Sequence, residues 1–390
     1  MPLLTSFEPA DAQTAASMLA IAAADGISLV PEGNRTKLRP QTRSGGAAPI
    51  SSTRLTSGLA HYAGDLVATA PAGATLHDVN VVLGRERQWI PIDPPHGERA
   101  TIGGIVACND SGPRRHRFGA PRDLIIGIEV ALTNGRVAHS GGRVVKNVAG
   151  YDLARLFCGS RGSLGLITSV TFKLAPVAPV SRTVLARFST VQRAAEAAMA
   201  LSAATGLTPS ALEIAAPHPR LLVRFETTAL AAERMTELAK AMLSPTADTI
   251  VVCEGDAEVK AWNAHASAPS ASSGLATSIS VLPTKVATVI EHVQRLAGQH
   301  GLEWAVSGRA ALGVLRADCA GDPAAQAGFA TALRAAVAAI GGTVQVLGID
   351  DGVQIGTDLL GPVGSAAAVG FAVKRRFDPS GVLPYPWVRV

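Results

Sequence analysis

The sequence predicts an α+β fold in two parts, on three observations. Short strand patterns in the first part are separated by loops rich in glycine and small polar residues. Beyond about residue 180, two strand patterns recur for each helical one, which suits a sheet with helices on one face. Between them, A-P-V-A-P-V (175–180) reads as a linker. The domain boundaries that follow are 1–178, 179–362 and a closing segment 363–390.

Residues 11–25 read as a helix, with Asp11 as N-cap and Gly26 as its stop. A short strand at 27–30 runs into P-E-G-N-R-T-K-L (31–38), and another strand follows at 65–70. Leu76, Val79, Val82 and Leu83 give helical spacing over 75–88, before a strand that begins at 89–92 ahead of two prolines. Strands 124–132 and 136–139 flank T-N-G (133–135), a hairpin signal. An apolar helical stretch at 153–157 precedes a strand at 166–174. In the second part, strands are expected at 183–188, 221–226, 250–253, 277–282, 303–306 and 311–316. Helices start at Val191, Ala229, about Lys260, Thr284 and Pro323. The tail 363–377 looks helical and ends at D-P-S-G (378–381); no internal repeat is legible.

Composition excludes several function classes. Hydrophobic residues at 47% and charged residues at 17% are those of an ordinary α/β protein with a sizeable core. Aromatics at 4% are too few for base-stacking platforms, and a scattered net charge of +5 is no nucleic-acid footprint. Cys108, Cys158, Cys253 and Cys319 are far apart with no C-x-x-C, so no iron–sulfur or zinc site is built from this chain, and no metal is expected. They read as buried free thiols. The N-terminus lacks a basic segment before an apolar run, and no stretch is long enough to span a bilayer, which points to a cytoplasmic protein.

The chemistry concentrates in three loops. G-N-R-T-K (33–37) follows a strand directly and lacks the Gly-Lys-Ser/Thr ending of a P-loop, yet suits a backbone N–H cradle for phosphate. T-I-G-G-I-V-A-C-N-D-S-G-P (101–113), entered through Pro94 and Pro95, has adjacent glycines for close backbone approach and polar groups at Thr101, Asn109 and Ser111. G-S-R-G-S-L-G (159–165) sits between a helix and a strand, the reverse of a Rossmann fingerprint, so a glycine turn outweighs an NAD site. Several cradles in one segment indicate an extended, phosphate-bearing cofactor.

The ordered set P-P-H, T-I-G-G, S-G-P-R-R, R-D, V-V-K-N-V-A-G-Y-D and G-S-x-G-x-L-G resembles the FAD-binding domain of the vanillyl-alcohol-oxidase or para-cresol-methylhydroxylase (PCMH) type. The resemblance covers about residues 27–174 and returns at K-R-R-F-D-P-S-G-V-L (374–383). It implies a PCMH-type two-subdomain FAD-binding fold with an α+β cap domain, the closing segment rejoining the first domain. Within that superfamily, the strings are most similar to the FAD-binding E subunits of bacterial glycolate oxidases.

By position, the resemblance implies that Gly33, Asn34, Arg35, Thr36 and Lys37 form the first pyrophosphate loop. Pro94, Pro95, Thr101, Gly103, Gly104, Asn109, Ser111 and Gly112 would line a second FAD loop. Gly159, Gly162, Gly165 and Ile167 would complete the pocket, with Arg122 and Asp123 bracing it. No His or Cys stands in 33–37, so noncovalent FAD is expected. R-R-H-R-F (114–118) reads either as an anion-binding or docking rim near the flavin or as a solvated loop. Lys146, Asn147, Tyr151 and Asp152 could sit by the ring, or the last two could start a helix.

The implied role is that of a flavoprotein subunit in oxidation of glycolate or another small 2-hydroxy acid. Its partners would be a catalytic flavin subunit and an iron–sulfur subunit, with membrane association left to those partners. A non-catalytic FAD-binding assembly subunit and a stand-alone FAD-dependent dehydrogenase stay open as alternatives. Oxidising a 2-hydroxy acid needs a base for the hydroxyl proton and a cation for the carboxylate. Arg224, Arg309 and Arg316 could supply the cation. The base is unassigned: G-Q-H-G-L (298–302) reads as a turn, and I-D-D-G-V-Q-I-G (349–356) has no histidine.

Overall fold

A computed structural model describes residues 7–37, 47–143, 152–267, 274–348 and 366–383. The chain divides into two compact units: Met1–Gly112 with Phe118–Val177 and Val363–Val390, and Pro113–Arg117 with Ala178–Pro362.

In the first unit, α1 (Ala12–Asp25) starts where the Asp11 carboxylate accepts from Thr14 N and stops at Gly26 in the left-handed conformation, as its sequence dictates. It is followed by β1 (Leu29–Glu32) and β2 (Ala48–Ser51), which pair in parallel. Then come β3 (Ala60–Tyr62), β4 (Val67–Pro71), α2 (Leu76–Leu83), β5 (Gln88–Trp89) and α3 (Ile102–Cys108). After α4 (Arg115–Phe118), whose first three residues belong to the second unit, α5 (Pro121–Leu124) leads to β6 (Ile125–Ala131), β7 (Val137–Gly141), α6 (Leu153–Phe157), β8 (Leu166–Lys173) and β9 (Ala175–Pro176).

Strands β3-β4-β8-β6-β7 form an antiparallel five-stranded sheet in that order, and its core packs α2, α3 and α6. A second core joins α1, β1 and β2 with Val382 and Leu383 of the closing segment. The T-N-G hairpin joins β6 to β7, with Gly135 at φ 80°. The linker at 175–180 is partly ordered as β9, which pairs with β5.

The second unit contains β10 (Val180–Arg187), α7 (Val191–Ala203), β11 (Ala211–Ala216), β12 (Arg220–Thr227), α8 (Ala229–Leu243) and β13 (Thr249–Cys253). After α9 (Gly255–Ser267) come β14 (Leu275–Ser280), α10 (Val286–Gln299), β15 (Glu303–Arg309), β16 (Val314–Ala320), α11 (Pro323–Ala339) and β17 (Thr343–Gly348). The order β13-β10-β12-β11-β15-β16-β14-β17 makes one antiparallel eight-stranded sheet. Each half is a β-α-β-β-α-β unit, and the halves meet where β11 pairs with β15. The architecture repeats although the sequence does not.

Alternation separates the two sheet faces. Val184, Leu212, Val223, Val306 and Leu315 enter one core with α7, α8, α10 and α11. The opposite face carries Thr183, Glu213, Arg224, Arg309 and Arg316 (β10, β11, β12, β15 and β16), and α9 packs there through Trp262 against Ala211 and Leu222. Helices therefore lie on both faces, not on one as the strand alternation predicts. Strands β11 and β17 escape the sequence reading. Glu213 and the Ala/Gly-rich neighbours of both strands blunt the β-branched signal. The last helix, α12 (Ala366–Phe377), returns to the first unit, where Phe377 meets Phe157 edge-on at 5.3 Å.

Candidate functional site

A cavity in the first unit, open to solvent, is walled by loop 33–37, the first turns of α3 and the 161–167 bend. Gly33, Asn34, Arg35, Thr36 and Lys37 all line it. Thr101, Gly103 and Gly104 form a second wall, and Gly162, Gly165 and Ile167 a third. Pro94, Pro95, Asn109, Ser111, Gly112 and Gly159 are not among its lining residues. The structure adds Glu32, Ser52, Ala107, Cys108 and Arg161; all but Ser52 lie inside the strings quoted above, but none was singled out there as a cofactor contact.

Close backbone approach explains the glycines. A Cβ on Gly33 would lie 2.2 Å from Thr101 Oγ1, one on Gly103 would lie 3.0 Å from Ala72 Cβ, and one on Gly165 would lie 2.6 Å from Val130 Cγ1. Gly162 has φ +79° and faces Pro31. Arg35, His96, Asn109 and Arg161 also adopt positive φ, costly for side-chain-bearing residues and concentrated in these loops.

The amide inventory distinguishes the loops. T-I-G-G is not a loop but the start of α3, capped by the Thr101 hydroxyl, which accepts from Gly104 N. Ile102 N donates to Ala74 O and Gly103 N to Ala72 O. These helix-start amides are thus satisfied by protein. Among the described residues, the amides of 33–37 donate to no backbone carbonyl. Consecutive open N–H groups beside a cavity make an anion cradle.

Side chains hold that cradle in place. Asn34 Nδ2 donates to Arg99 O at 2.8 Å and Lys37 Nζ to Pro95 O at 2.6 Å. Lys37 also pairs with Asp110, and Arg35 reaches Glu32 Oε1 at 2.6 Å. Both cations are thus paired with carboxylates of the same unit. Pro95 acts through its carbonyl as a staple. Asn109 caps α3, and its Oδ1 accepts from Arg122 N at 3.1 Å, while Asp123 Oδ2 accepts from Ala120 N at 2.9 Å. A Cβ on Gly112 would collide with Asp93 O, and Gly159 N donates to Val106 O. These residues shape the walls without lining the cavity. Ser111 is buried. Burial pushes the Cys108 thiol up, so it stays protonated at neutral pH.

R-R-H-R-F is held by its own unit, with Arg117 exposed and residues 114–116 half-buried. Its first four residues belong to the second unit, except that Phe118 returns to the first. Arg114 grips Glu226 in a fork (Nε–Oε2 2.9 Å, NH2–Oε1 2.6 Å), and Arg117 NH1 donates to Glu226 O at 3.0 Å. The three candidate substrate cations are engaged too. Arg224 Nε meets Glu258 Oε1 at 3.1 Å and lies 4.0 Å above the Trp262 ring. Arg316 forks onto Asp318 at 2.7 Å, and Arg309 lies 3.7 Å from Glu213. Asp152 caps α6 at Arg155 N; Lys146, Asn147, Tyr151 and 349–356 lie outside the described residues. G-Q-H-G-L forms the turn from α10 to β15.

A glycine-lined cavity bordered by such a loop has the construction of a nucleotide-cofactor site. Residues 5–141 match the FAD binding domain family. Glycolate oxidase subunit GlcD of Bacillus subtilis is 38% identical over 159 residues, 41% of this chain and 33% of the relative. Glycolate oxidase subunit GlcE of Escherichia coli is 45% identical over 113 residues, 29% of this chain and 32% of the relative. The mitochondrial cytochrome-linked D-lactate dehydrogenase of Arabidopsis thaliana is 34% identical over 175 residues, 45% and 30% respectively. The aligned part spans about a third of the length of these relatives. Among solved structures, alkyldihydroxyacetonephosphate synthase superposes with TM-score 0.73 at 13% identity, covering 98% of this chain and 76% of that one. Chitooligosaccharide oxidase gives 0.69 at 15%, covering 97% and 90%. The fold is the PCMH-type fold of these solved structures, and the match to the FAD binding domain family lies largely within the chain's first unit. Among the described residues no helix is long and apolar enough to cross a membrane, and no cluster of His, Cys, Asp and Glu could hold a metal.

Proposed function

We propose that this chain is the FAD-binding subunit of an oxidoreductase complex that oxidises glycolate or another small 2-hydroxy acid. The observation that carries this reading is the open-amide cradle at 33–37, set in a segment related in sequence to glycolate oxidase subunits and D-lactate dehydrogenases. In it, the first unit holds FAD without a covalent bond, and the second, residues 179–362, is the cap domain. The pyrophosphate takes the amides of 33–37, with Thr101, Gly103, Gly104, Gly162, Gly165 and Ile167 around the cofactor. Pro94, Pro95, Asn109, Ser111, Gly112 and Gly159 keep those walls in position. FAD supplies two-electron acceptance from the hydroxy acid. In this reading a catalytic flavin subunit and an iron–sulfur subunit complete the complex, in keeping with the subunit names of the glycolate oxidase relatives.

A second reading, a subunit whose FAD relays electrons or only supports assembly, is favoured by one observation. Arg224, Arg309 and Arg316 each already face a carboxylate of the same unit. Anaerobic addition of glycolate or D-lactate separates the readings. Flavin absorbance should bleach when the partner subunits are present. Bleaching of the isolated chain would identify a stand-alone dehydrogenase, and no bleaching in the complete complex would overturn the hydroxy-acid reading.

A further inference from the structure

The last carbonyls of α3 fasten the 159–165 bend: Gly159 N donates to Val106 O at 3.0 Å and Arg161 N to Ala107 O at 2.7 Å. Ser163 closes the turn, its N and Oγ both donating to Ser160 O, at 3.0 and 2.7 Å. A Cβ on Gly162 would lie 2.9 Å from Pro31, just ahead of Gly33 in the chain. The bend therefore packs beside the start of loop 33–37. Arg161, Gly162, Gly165 and that loop line one cavity of the first unit.

This wall carries more than a turn needs. Arg161 holds φ at 53°, between Gly159 at 87° and Gly162 at 79°. That region disfavours a residue with a β-carbon, and glycine or asparagine would make the same turn at lower cost. Such strain gathers where a side chain is held for a ligand. The Arg161 charge acts on the Cys108 thiol, which lines the cavity too, so the guanidinium lies on the cavity side. The amides of Gly162 and Gly165 are in buried residues, and among the described residues they donate to no backbone carbonyl. Buried N–H groups are nearly always matched, so open ones at a cavity wall point to an acceptor from outside the chain.

We propose that Arg161 is a cofactor-binding residue, its guanidinium meeting the diphosphate of FAD where the 159–165 bend and loop 33–37 share the cavity. This rests on the FAD reading above and adds to it the side chain that reads the phosphates. A guanidinium donates two parallel hydrogen bonds to phosphate oxygens, a match that an ammonium lacks. Its five N–H donors can serve a protein partner and a phosphate together. Arg161 is half-buried, and a pair so placed is screened little, so the contact is compatible with FAD binding that varies weakly with salt.

Calorimetric titration of the full chain with FAD, and displacement of FAD by ADP, test the proposal. Arg161→Gly and Arg161→Asn keep the turn and remove the cation, Arg161→Met keeps the length, and Arg161→Lys keeps the charge. The first three should raise the Kd for FAD and for ADP at least about tenfold, and Arg161→Lys only about threefold. Thermal melts of Arg161→Gly and Arg161→Asn should show Tm at or above that of the wild type, since the strained φ is relieved. Wild-type affinity in Arg161→Gly overturns the proposal, as does Arg161→Lys binding no better than Arg161→Met. A loss confined to FAD, or ADP that displaces no FAD from the wild type, overturns it as well, because the phosphates would then not be what Arg161 meets. Where Arg161→Asn does not fold, Arg161→Gly and the Lys–Met comparison decide. A folded wild-type chain that binds no FAD removes the FAD reading itself; FAD bound equally by wild type and variants removes this proposal alone.

Discussion

The Thr101 hydroxyl stands where a β-carbon on Gly33 would fall, 2.2 Å away. One side chain thus caps α3 and sets the closest approach of the loop that carries the open amides. Gly33→Ala should raise the Kd for FAD at least about tenfold, or about 1.4 kcal/mol, because loop 33–37 must retreat from α3. Gly33→Ala with Thr101→Ala should recover much of that affinity, while losing about 1 kcal/mol of stability with the cap. Calorimetric FAD titrations of the four proteins in this cycle check both statements.

Arg35 and Lys37 would look like phosphate cations in any sequence, yet Glu32 and Asp110 neutralise them. FAD affinity should therefore change by less than about threefold between about 0.05 and 0.5 M NaCl. A steep salt dependence in calorimetry would show that free cations, and not amides, carry the diphosphate. Lys37→Met should still weaken FAD binding, since it removes the staple to Pro95 O.

Glu226 anchors the segment that bears His116. Burial pulls its carboxyl up, but the Arg114 hydrogen bond and charge outweigh that, leaving it below the ordinary 4.5. A depressed carboxylate contributes stability above 4.5 that disappears as pH falls through its lower folded value. Acid denaturation should thus show a limb below pH 4.5 that becomes shallower in Glu226→Gln. Thermal melts across pH 3 to 7 (about half-unit steps) read the difference directly.

Asp378 ties the closing segment down. Its carboxylate accepts from Val382 N at 3.1 Å and Leu383 N at 2.8 Å and pairs with Lys374, while Leu29 N donates to Val382 O at 2.7 Å. Asp378→Ala strands two buried amides and a largely buried ammonium, so it should cost about 3 kcal/mol in urea unfolding. A loss under about 0.5 kcal/mol would mean that the apolar contacts of Val382 and Leu383 hold the segment alone.

Local rules made part of this protein readable from its sequence. Asp11 and Gly26 bound α1, T-N-G turns β6 into β7, and the glycines at 33, 103, 104, 162 and 165 marked walls of one cavity. Each is a matter of backbone stereochemistry within a few residues. What neighbours do across the fold was not readable. Whether T-I-G-G is loop or helix, and whether its amides are open, depends on Ala72 and Ala74 carbonyls brought up by β4. Arg161 and Cys108 reach the cavity only through packing, and Arg35 and Lys37 lose their apparent role to carboxylates that the fold supplies. The meeting of Glu213 with His265, and the doubling of the β-α-β-β-α-β unit, likewise belong to tertiary structure. Propensity and capping act along the chain, whereas charge pairing and amide satisfaction are settled by residues distant in sequence and close in space.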